Sequence, residues 1–442
     1  MTRIFPWGNV TSKDICEAAE QFGTPLYLYD EFLINEKCAE IRELPHAFGI
    51  FPRYAMKANS NKTLLQLIHR QGLGIDASSL NEVRRANMAG ISFKDILLTS
   101  QEVPEREERA RLESMIEQGL RYNVCSMRQL FYVSSFARER KIPLSIRIHP
   151  GTGGSGESIT RDTASPYSCF GVHLTVLEHT LKIARDKKVV FERVHDHIGS
   201  GGSPEKWRKN VDTLLAIIEK NLDYFPQLKI INFGGGLKEA RMPDEVAADA
   251  GFLGQYAKEK LEEFAKRTGK ELVMEIEPGT YIIARAGNLI TKVIDQKSTG
   301  PDGYNFLVLD GGMEVNSRPL LYGSRHPFAV VTEGRDLLSY EYDVSELRSD
   351  ELFVPVGRCC ESGDSQSLDS QGNIVPRLMA TPNIGDYVVI GATGAYCSSM
   401  TPFNYNSYVQ APEALKRTSG KIELIRERQT LEQMTSNEIR VV

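Results

Sequence analysis

The 442-residue chain has no apolar run long enough to cross a membrane, and its opening Met1-Thr2-Arg3-Ile4-Phe5-Pro6-Trp7-Gly8 lacks the apolar core of a secretory signal. These absences set the expectation of a cytoplasmic protein with no membrane partner. It also lacks a dense Lys/Arg block with interleaved aromatics, and 53 Lys+Arg against 58 Asp+Glu give a formal net charge of -5, so nucleic acid is not an expected partner. The seven cysteines (Cys16, Cys38, Cys125, Cys169, Cys359, Cys360, Cys397) are odd in number and include no C-x-x-C pair. Neither a disulfide framework nor a structural zinc site is expected of them. Low-complexity tracts are absent, and the only repeat is a βα unit.

That unit dominates the first two thirds of the chain. Short β-type runs alternate with amphipathic stretches: Arg53 to Lys57, Gly74 to Ala77, Ile96 to Thr99, Tyr122 to Cys125, Leu144 to Ile148, Arg193 to His197, Lys229 to Phe233 and Leu272 to Glu277. Helical spacing fills the gaps, as in Asn61 to Arg70, Glu105 to Gln118, Met127 to Lys141, Glu205 to Tyr224 and Gln255 to Arg267. The rhythm predicts an α/β protein with a closed (β/α)8 TIM barrel over residues 31–285; a doubly wound open sheet is the structural alternative. From 286 to 442 short strands and turns replace it, predicting a second, all-β domain to which the N-terminal segment 1–30 adds the strand Leu26 to Tyr29. The glycine- and serine-rich stretch from Gly151 to Ser168 reads as a mobile loop over the barrel mouth.

Barrels of this kind place their sites where the carboxyl ends of the strands converge. Here those ends carry Lys57, then Asp76 with Glu82 a turn later, then His195-Asp196-His197-Ile198-Gly199-Ser200-Gly201-Gly202, Gly234-Gly235-Gly236 and Glu277-Pro278-Gly279-Thr280. Lys57 offers an amine to a carbonyl cofactor such as pyridoxal phosphate, although a buried strand-end lysine is more often an ion-pair partner. The glycines let backbone N–H groups approach a phosphate, although a tight turn explains them as well. His195 and His197 share one strand face and could hold a metal, but further ligands at other strand ends are scarce, so no metal is expected; His197 as a flat ring on a cofactor explains the same placement, with His195 structural. Glu277 is either a charge partner for a nearby base or the carboxylate that keeps a pyridine nitrogen protonated, as α-decarboxylation requires.

Tyr54-Ala55-Met56-Lys57-Ala58-Asn59, His197-Ile198-Gly199-Ser200-Gly201, Gly234-Gly235-Gly236-Leu237, Glu277-Pro278-Gly279, Arg318-Pro319 with Tyr322-Gly323-Ser324, Cys360-Glu361-Ser362-Gly363-Asp364 and Gly394-Ala395-Tyr396 occur in this order. Together they resemble the signatures of the fold-type III pyridoxal-phosphate decarboxylases. The resemblance implies an alanine-racemase-like barrel joined to a β domain, pyridoxal 5'-phosphate as cofactor, and a homodimer with shared active sites. It implies that Lys57 is the Schiff-base lysine, that His197 stacks on the ring, and that Glu277 pairs with its nitrogen. Asp76, Ser200, Gly235, Gly236, Pro278, Gly279, Thr280 and Tyr396 complete the implied cofactor site. Arg318, Tyr322, Glu361 and Tyr396 bind the substrate, and Cys360 returns a proton to the α-carbon, a role a thiol can fill.

The implied substrate is meso-2,6-diaminopimelate, giving L-lysine and CO2; the alternative is a related amino acid such as D-lysine or D-ornithine. One departure bears on the choice. Family members carry an arginine after Glu-Pro-Gly, where this chain has Thr280, and Cys169 stands before Phe170-Gly171 where a lysine or arginine is common. The distal carboxylate is then left to Arg318 and Arg285, or the substrate lacks it. A non-catalytic binder of the same fold would be expected to lose Lys57, Cys360 or Glu277, and a metal-dependent barrel hydrolase would need more ligands.

Overall fold

The computed structural model describes residues 8–151, 163–199, 203–242, 244–341 and 350–441. Contacts divide the chain into two compact units, one of Met1–Glu36, Ala240–Glu245 and Ile283–Val442, the other of Lys37–Glu239 and Val246–Ile282. Strand β1 (Leu26–Asp30) belongs to the first unit. The second holds β2 (Ile50–Ala55), β3 (Gly74–Ala77), β4 (Ile96–Leu98), β5 (Arg121–Val124), β6 (Leu144–His149), β7 (Val172–His173), β8 (Phe191–His195), β9 (Ile230–Asn232) and β10 (Val273–Ile276).

These strands pair in parallel in the order β5-β4-β3-β2-β10-β9-β8-β6, and a β5–β6 pairing closes the ring. The two-residue β7 is an addition at the edge of β6 that the sequence pattern does not show. The helices between them start where side chains cap them: Asn61 accepts from the Thr63 N–H, Ser79 from Glu82 and Ser126 from Gln129. Asp249 likewise starts a helix at Ala250, upstream of the expected Gln255, while the helix expected to reach Tyr224 stops at Lys220 and continues as a 3-10 turn. Most of the glycine-rich loop expected over the mouth falls at 152–162, outside the described residues.

The barrel is filled by charge as well as by apolar side chains. Alternate residues of a strand share a face, so Arg53, Arg193 and Glu275 can all point inward. Glu275 accepts from Arg53 Nη2 at 3.0 Å, from Arg193 Nε at 2.8 Å and from Arg193 Nη2 at 3.1 Å. All three side chains are buried. Burial alone would raise the Glu275 carboxyl, but the two guanidiniums outweigh it and bring the pKa down to about 2.

The other unit is a ten-stranded sheet. Its further strands are β11 (Gly287–Ser298), β12 (Asn305–Leu309), β13 (Phe328–Val331), β14 (Leu337–Tyr340), β15 (Asp350–Val356), β16 (Arg377–Ala380), β17 (Tyr387–Ile390), β18 (Glu413–Lys416) and β19 (Ile422–Arg426). The main path runs β14-β13-β17-β11-β1-β18-β19, with β12, β15 and β16 branching from β11. Thus β1 lies between β11, antiparallel to it, and β18, parallel to it. Leu26, Leu28, Ile290, Val331, Val389 and Ala414 pack with Val10 and Ile15 in its core. Short, doubly buried runs such as β13 carry no alternation, which is why the sequence pattern passes over them.

Glu275→Gln removes the only negative member of the Arg53–Glu275–Arg193 group and should cost about 3 to 5 kcal/mol at neutral pH. Since the folded-state pKa lies below the ordinary 4.5, the carboxylate's contribution is present above about pH 4.5 and is lost as pH falls toward about 2. Urea unfolding of both proteins between pH 7 and 2 should show the difference closing over that window; a pH-independent gap would refute the ion-pair account.

Candidate active site

The expected strand Arg53 to Lys57 ends two residues early, at Ala55, and Lys57 occupies a 3-10 turn, Met56–Ala58. The turn is pinned on both sides. Tyr54 Oη donates to the Asn59 carbonyl at 3.1 Å, and the Ala55 N–H donates to the Pro278 carbonyl at 3.2 Å, joining the end of β2 to the segment after β10. Lys57 thus leaves the strand alternation at the barrel mouth, where its charge acts on Asp76, His197 and Glu277.

Glu277 has no basic side chain of the ordinary surface kind beside it. His195 Nε2 lies 3.0 Å from Oε2, and Asn232 Nδ2 donates to Oε1 at 2.8 Å. A carboxylate only accepts, so His195 carries its proton on Nε2 and points it at Glu277. Burial alone would raise the Glu277 carboxyl, but the charge and hydrogen bond of His195, with Lys57 and Arg147, hold it below its ordinary value. Across the site, burial and the Glu277 charge push Asp76 well above the usual carboxylate range, against the pull of Lys57. Of the two acids, Asp76 keeps the proton and Glu277 the charge.

His197 is neutral for a different reason. The Gly235 N–H donates to its Nδ1 at 2.8 Å, which requires an unprotonated Nδ1 and puts the ring proton on Nε2. Burial first, then the positive charges of Lys57 and Arg147, holds its pKa well below the ordinary value. Its 3.9 Å approach to Glu277 through the same Nδ1 is therefore not an ion pair.

The glycine turn after β9 could not carry side chains. Gly234 has φ +64, and a Cβ there would sit 2.7 Å from His197 Nδ1; one on Gly235 would fall 2.8 Å from His197 Cε1 and 2.9 Å from the Glu277 carbonyl. Asn232 Oδ1 accepts from the Gly234 N–H at 2.8 Å and fixes the turn. Pro278 and Gly279 follow β10 within the same unit, and Thr280, buried, opens a short helix. Ser200, expected with these residues, lies outside the described residues.

The remaining expected residues belong to the β unit. Arg318 is buried, donates to Ser324 Oγ at 3.1 Å and faces the rings of Tyr322 and Tyr396 at 5.4 and 5.6 Å. It has no ion pair among the described residues, and its Nε has no hydrogen-bond acceptor. Tyr396 has φ +58, directly after Gly394-Ala395. Cys360 is exposed, with its N–H donated to Asn406 Oδ1 at 2.8 Å, and Glu361 accepts from Tyr405 Oη at 3.1 Å. Cys359 instead turns inward, Sγ 3.4 Å from Glu314 Oε2, and burial with Glu314 and Asp364 pushes its thiol pKa up. That separates two neighbours which their sequence positions alone do not.

The model of the pyridoxal-dependent decarboxylase pyridoxal-binding domain matches residues 33–284. The chain belongs to the pyridoxal-dependent decarboxylase family. It is 34% identical to the diaminopimelate decarboxylase of Methanothermobacter thermautotrophicus, over 94% of this chain and 92% of that one. With the diaminopimelate decarboxylase of Escherichia coli K12 the identity is 30%, over 98% and 97%. A crystal structure of a diaminopimelate decarboxylase superposes with a TM-score of 0.86 at 28% identity, covering 97% of this chain and 96% of that one. The Helicobacter pylori diaminopimelate decarboxylase complexed with L-lysine gives 0.81 at 26% identity, covering 96% and 98%. The alanine-racemase-like arrangement of a closed parallel barrel and a mostly-sheet domain is the fold of these enzymes.

The residues present fit pyridoxal phosphate. A cradle that a Cβ would fill, a flat neutral imidazole, an ionised buried carboxylate and a lysine amine occur together in the barrel unit. Reading from sequence left out Asn232 and gave His195 no part in the site, although the structure makes both partners of Glu277. Their signal was available in part: a polar residue on the inward face of a short strand, two positions before a glycine turn, and the first histidine of an H-x-H pair.

Exposure sets the order in which the two adjacent thiols react. Brief treatment with iodoacetamide followed by peptide mass analysis should label Cys360 before Cys359; labelling of Cys359 first would contradict the inward orientation of its side chain.

Proposed function

We propose that this enzyme decarboxylates meso-2,6-diaminopimelate to L-lysine and CO2. The observation that carries the chemistry is the ionised, doubly hydrogen-bonded Glu277 in the barrel interior, beside a protonated Asp76. Pyridoxal phosphate, when bound, supplies an electron sink for the pair left at the α-carbon as CO2 departs. Glu277 would keep a proton on the ring nitrogen, each of its oxygens retaining a lone pair beyond the bonds from His195 and Asn232. Lys57 would hold the aldehyde and exchange it for the substrate amine. His197 would lie flat on the ring, its neutrality avoiding a second positive charge there. Backbone N–H groups at Gly235, Gly236 and Gly279, with Ser200, Pro278 and Thr280, would surround the phosphate, assisted by Tyr396.

Recognition of the distal end falls in this reading to Arg318, Tyr322, Glu361 and Tyr396. A buried guanidinium without an acid partner is unfavourable alone, and a carboxylate ligand would complete it. Cys360 would return the proton to the α-carbon, its exposed thiol being free to meet the reacting atoms. We further propose a homodimer with shared sites, acting in the cytoplasm. Among the described residues no helix is long and apolar enough to cross a membrane.

Borohydride reduction of the yellow protein followed by peptide mass analysis should place the cofactor on Lys57, and Lys57→Ala should reduce turnover to background. Cys360→Ser should lower kcat by about 10²-fold with cofactor content unchanged. Steady-state rates with meso-diaminopimelate, D-lysine and D-ornithine should rank the first highest. A preference for either mono-carboxylate would replace the proposed substrate.

A further inference from the structure

Six residues in the middle of the barrel sequence, Ala240–Glu245, cluster with the β unit rather than with the barrel. The segment is fastened there by its own charges. Asp244 pairs with Arg325 at 2.8 Å, the Arg241 N–H donates to Glu245 Oε2 at 3.0 Å, and Met242 Sδ lies 3.9 Å from Arg377 Nη2. This anchoring leaves the Arg241 side chain on the loop that leads to Tyr396, with Nε 3.4 Å from the Ala392 carbonyl. His326 is seated on the same loop, its Nδ1 3.0 Å from the Gly391 carbonyl. Arg241 and Arg318 both act on buried His326 and on the Cys397 thiol, so the two guanidiniums share one neighbourhood.

Three positive or potentially positive groups therefore meet around residues 391–397. Arg377, the further arginine nearby, is taken by Glu341, but Arg318 has no ion pair among the described residues. The His326 Nδ1 must donate to a carbonyl, which leaves Nε2 as a buried atom without a hydrogen-bond partner. Such a group of cations and unmet polar atoms fits an anionic ligand, and two guanidiniums can address both oxygens of a carboxylate.

We infer that Arg241 is a specificity-determining residue that, together with Arg318, receives the distal carboxylate of the substrate and supplies the positive charge absent at Thr280. The inference rests on the proposed reading that this carboxylate exists. It differs from that reading in assigning the discrimination to a side chain from the loop after β9, outside the motifs considered above. It also gives a reason for the placement of Ala240–Glu245 with the β unit: the excursion carries a cation there.

The test is calorimetric titration of the holoenzyme with L-lysine, which retains the distal carboxylate, and with 1,5-diaminopentane, which lacks it. In Arg241→Ala and Arg241→Gln the dissociation constant for L-lysine should rise by about 10- to 100-fold, the range for loss of one charged hydrogen bond. Binding of 1,5-diaminopentane should stay within about twofold, and Arg241→Lys should recover part of the L-lysine affinity. An equal loss for both ligands would show a purely structural role, and no loss for either would place the carboxylate elsewhere; each overturns the inference. Because binding is read without turnover, failure of the wild-type enzyme to process meso-diaminopimelate would count separately, against the proposed function.

Discussion

Keeping one carboxylate ionised inside the barrel is the constraint on which the remaining site geometry depends. Glu275 and Glu277 are two residues apart and point to the same face of one strand, and both are removed from water. They are kept charged by different means: Glu275 by two guanidiniums, Glu277 by an imidazole N–H and an amide. Asn232 touches both, its Nδ2 lying 3.3 Å from Glu275 Oε2 as well as 2.8 Å from Glu277 Oε1, while its Oδ1 holds the glycine turn. The amide cannot take up a proton as a carboxylate or imidazole can, so it fixes position without adding charge.

The difference between these two acids has a functional sense. A guanidinium beside Glu277 would neutralise it fully and compete with any ring nitrogen for the same oxygens, whereas a neutral imidazole donates one hydrogen bond and leaves the negative charge in place. The charged pair lies deeper, where no ligand is to be met, and acts as the fixed floor on which the neutral layer rests. Asp76 completes the balance: by holding its proton it avoids a second anion opposite Lys57, so the amine faces one full negative charge rather than two.

Much of this was legible in sequence because strand ends concentrate polar residues, and a parallel barrel turns linear spacing into a ring. The lysine, the glycine turn, His197 and Glu277 stand out for that reason. Arg53 and Arg193 do not, since a charged residue in a short apolar run looks the same whether it faces solvent or a buried acid; only the closed barrel brings β2, β8 and β10 together around Glu275. The extra two residues between Ala55 and Lys57 were equally hidden, because a single 3-10 turn has no periodicity to detect. Arg241 escaped for a third reason: its importance comes from which unit its segment joins, and local pattern carries no information about that.

Adjacent Cys359 and Cys360 show how the backbone, rather than residue type, assigns roles. Asp364 accepts the Cys359 N–H at 2.7 Å and the Met313 N–H at 2.6 Å, and a Cβ at Gly312 would fall on its carboxylate, so the loop closes around that acid. Glu314 receives the Gly312 N–H at 2.8 Å and the Arg358 Nε at 3.2 Å. With Cys359 Sγ, these two acids form a cluster whose ligand-type atoms lie within 4.8 Å of one another. Their backbone hydrogen bonds give them a structural task independent of any ion. Once that clasp turns Cys359 inward, the next side chain is exposed. The inward thiol, raised by burial and two acids, is a poor source of thiolate, while its neighbour keeps access to solvent and to a reacting carbon. A proton donor at Cys360 therefore depends on a buried acid that need never touch the substrate.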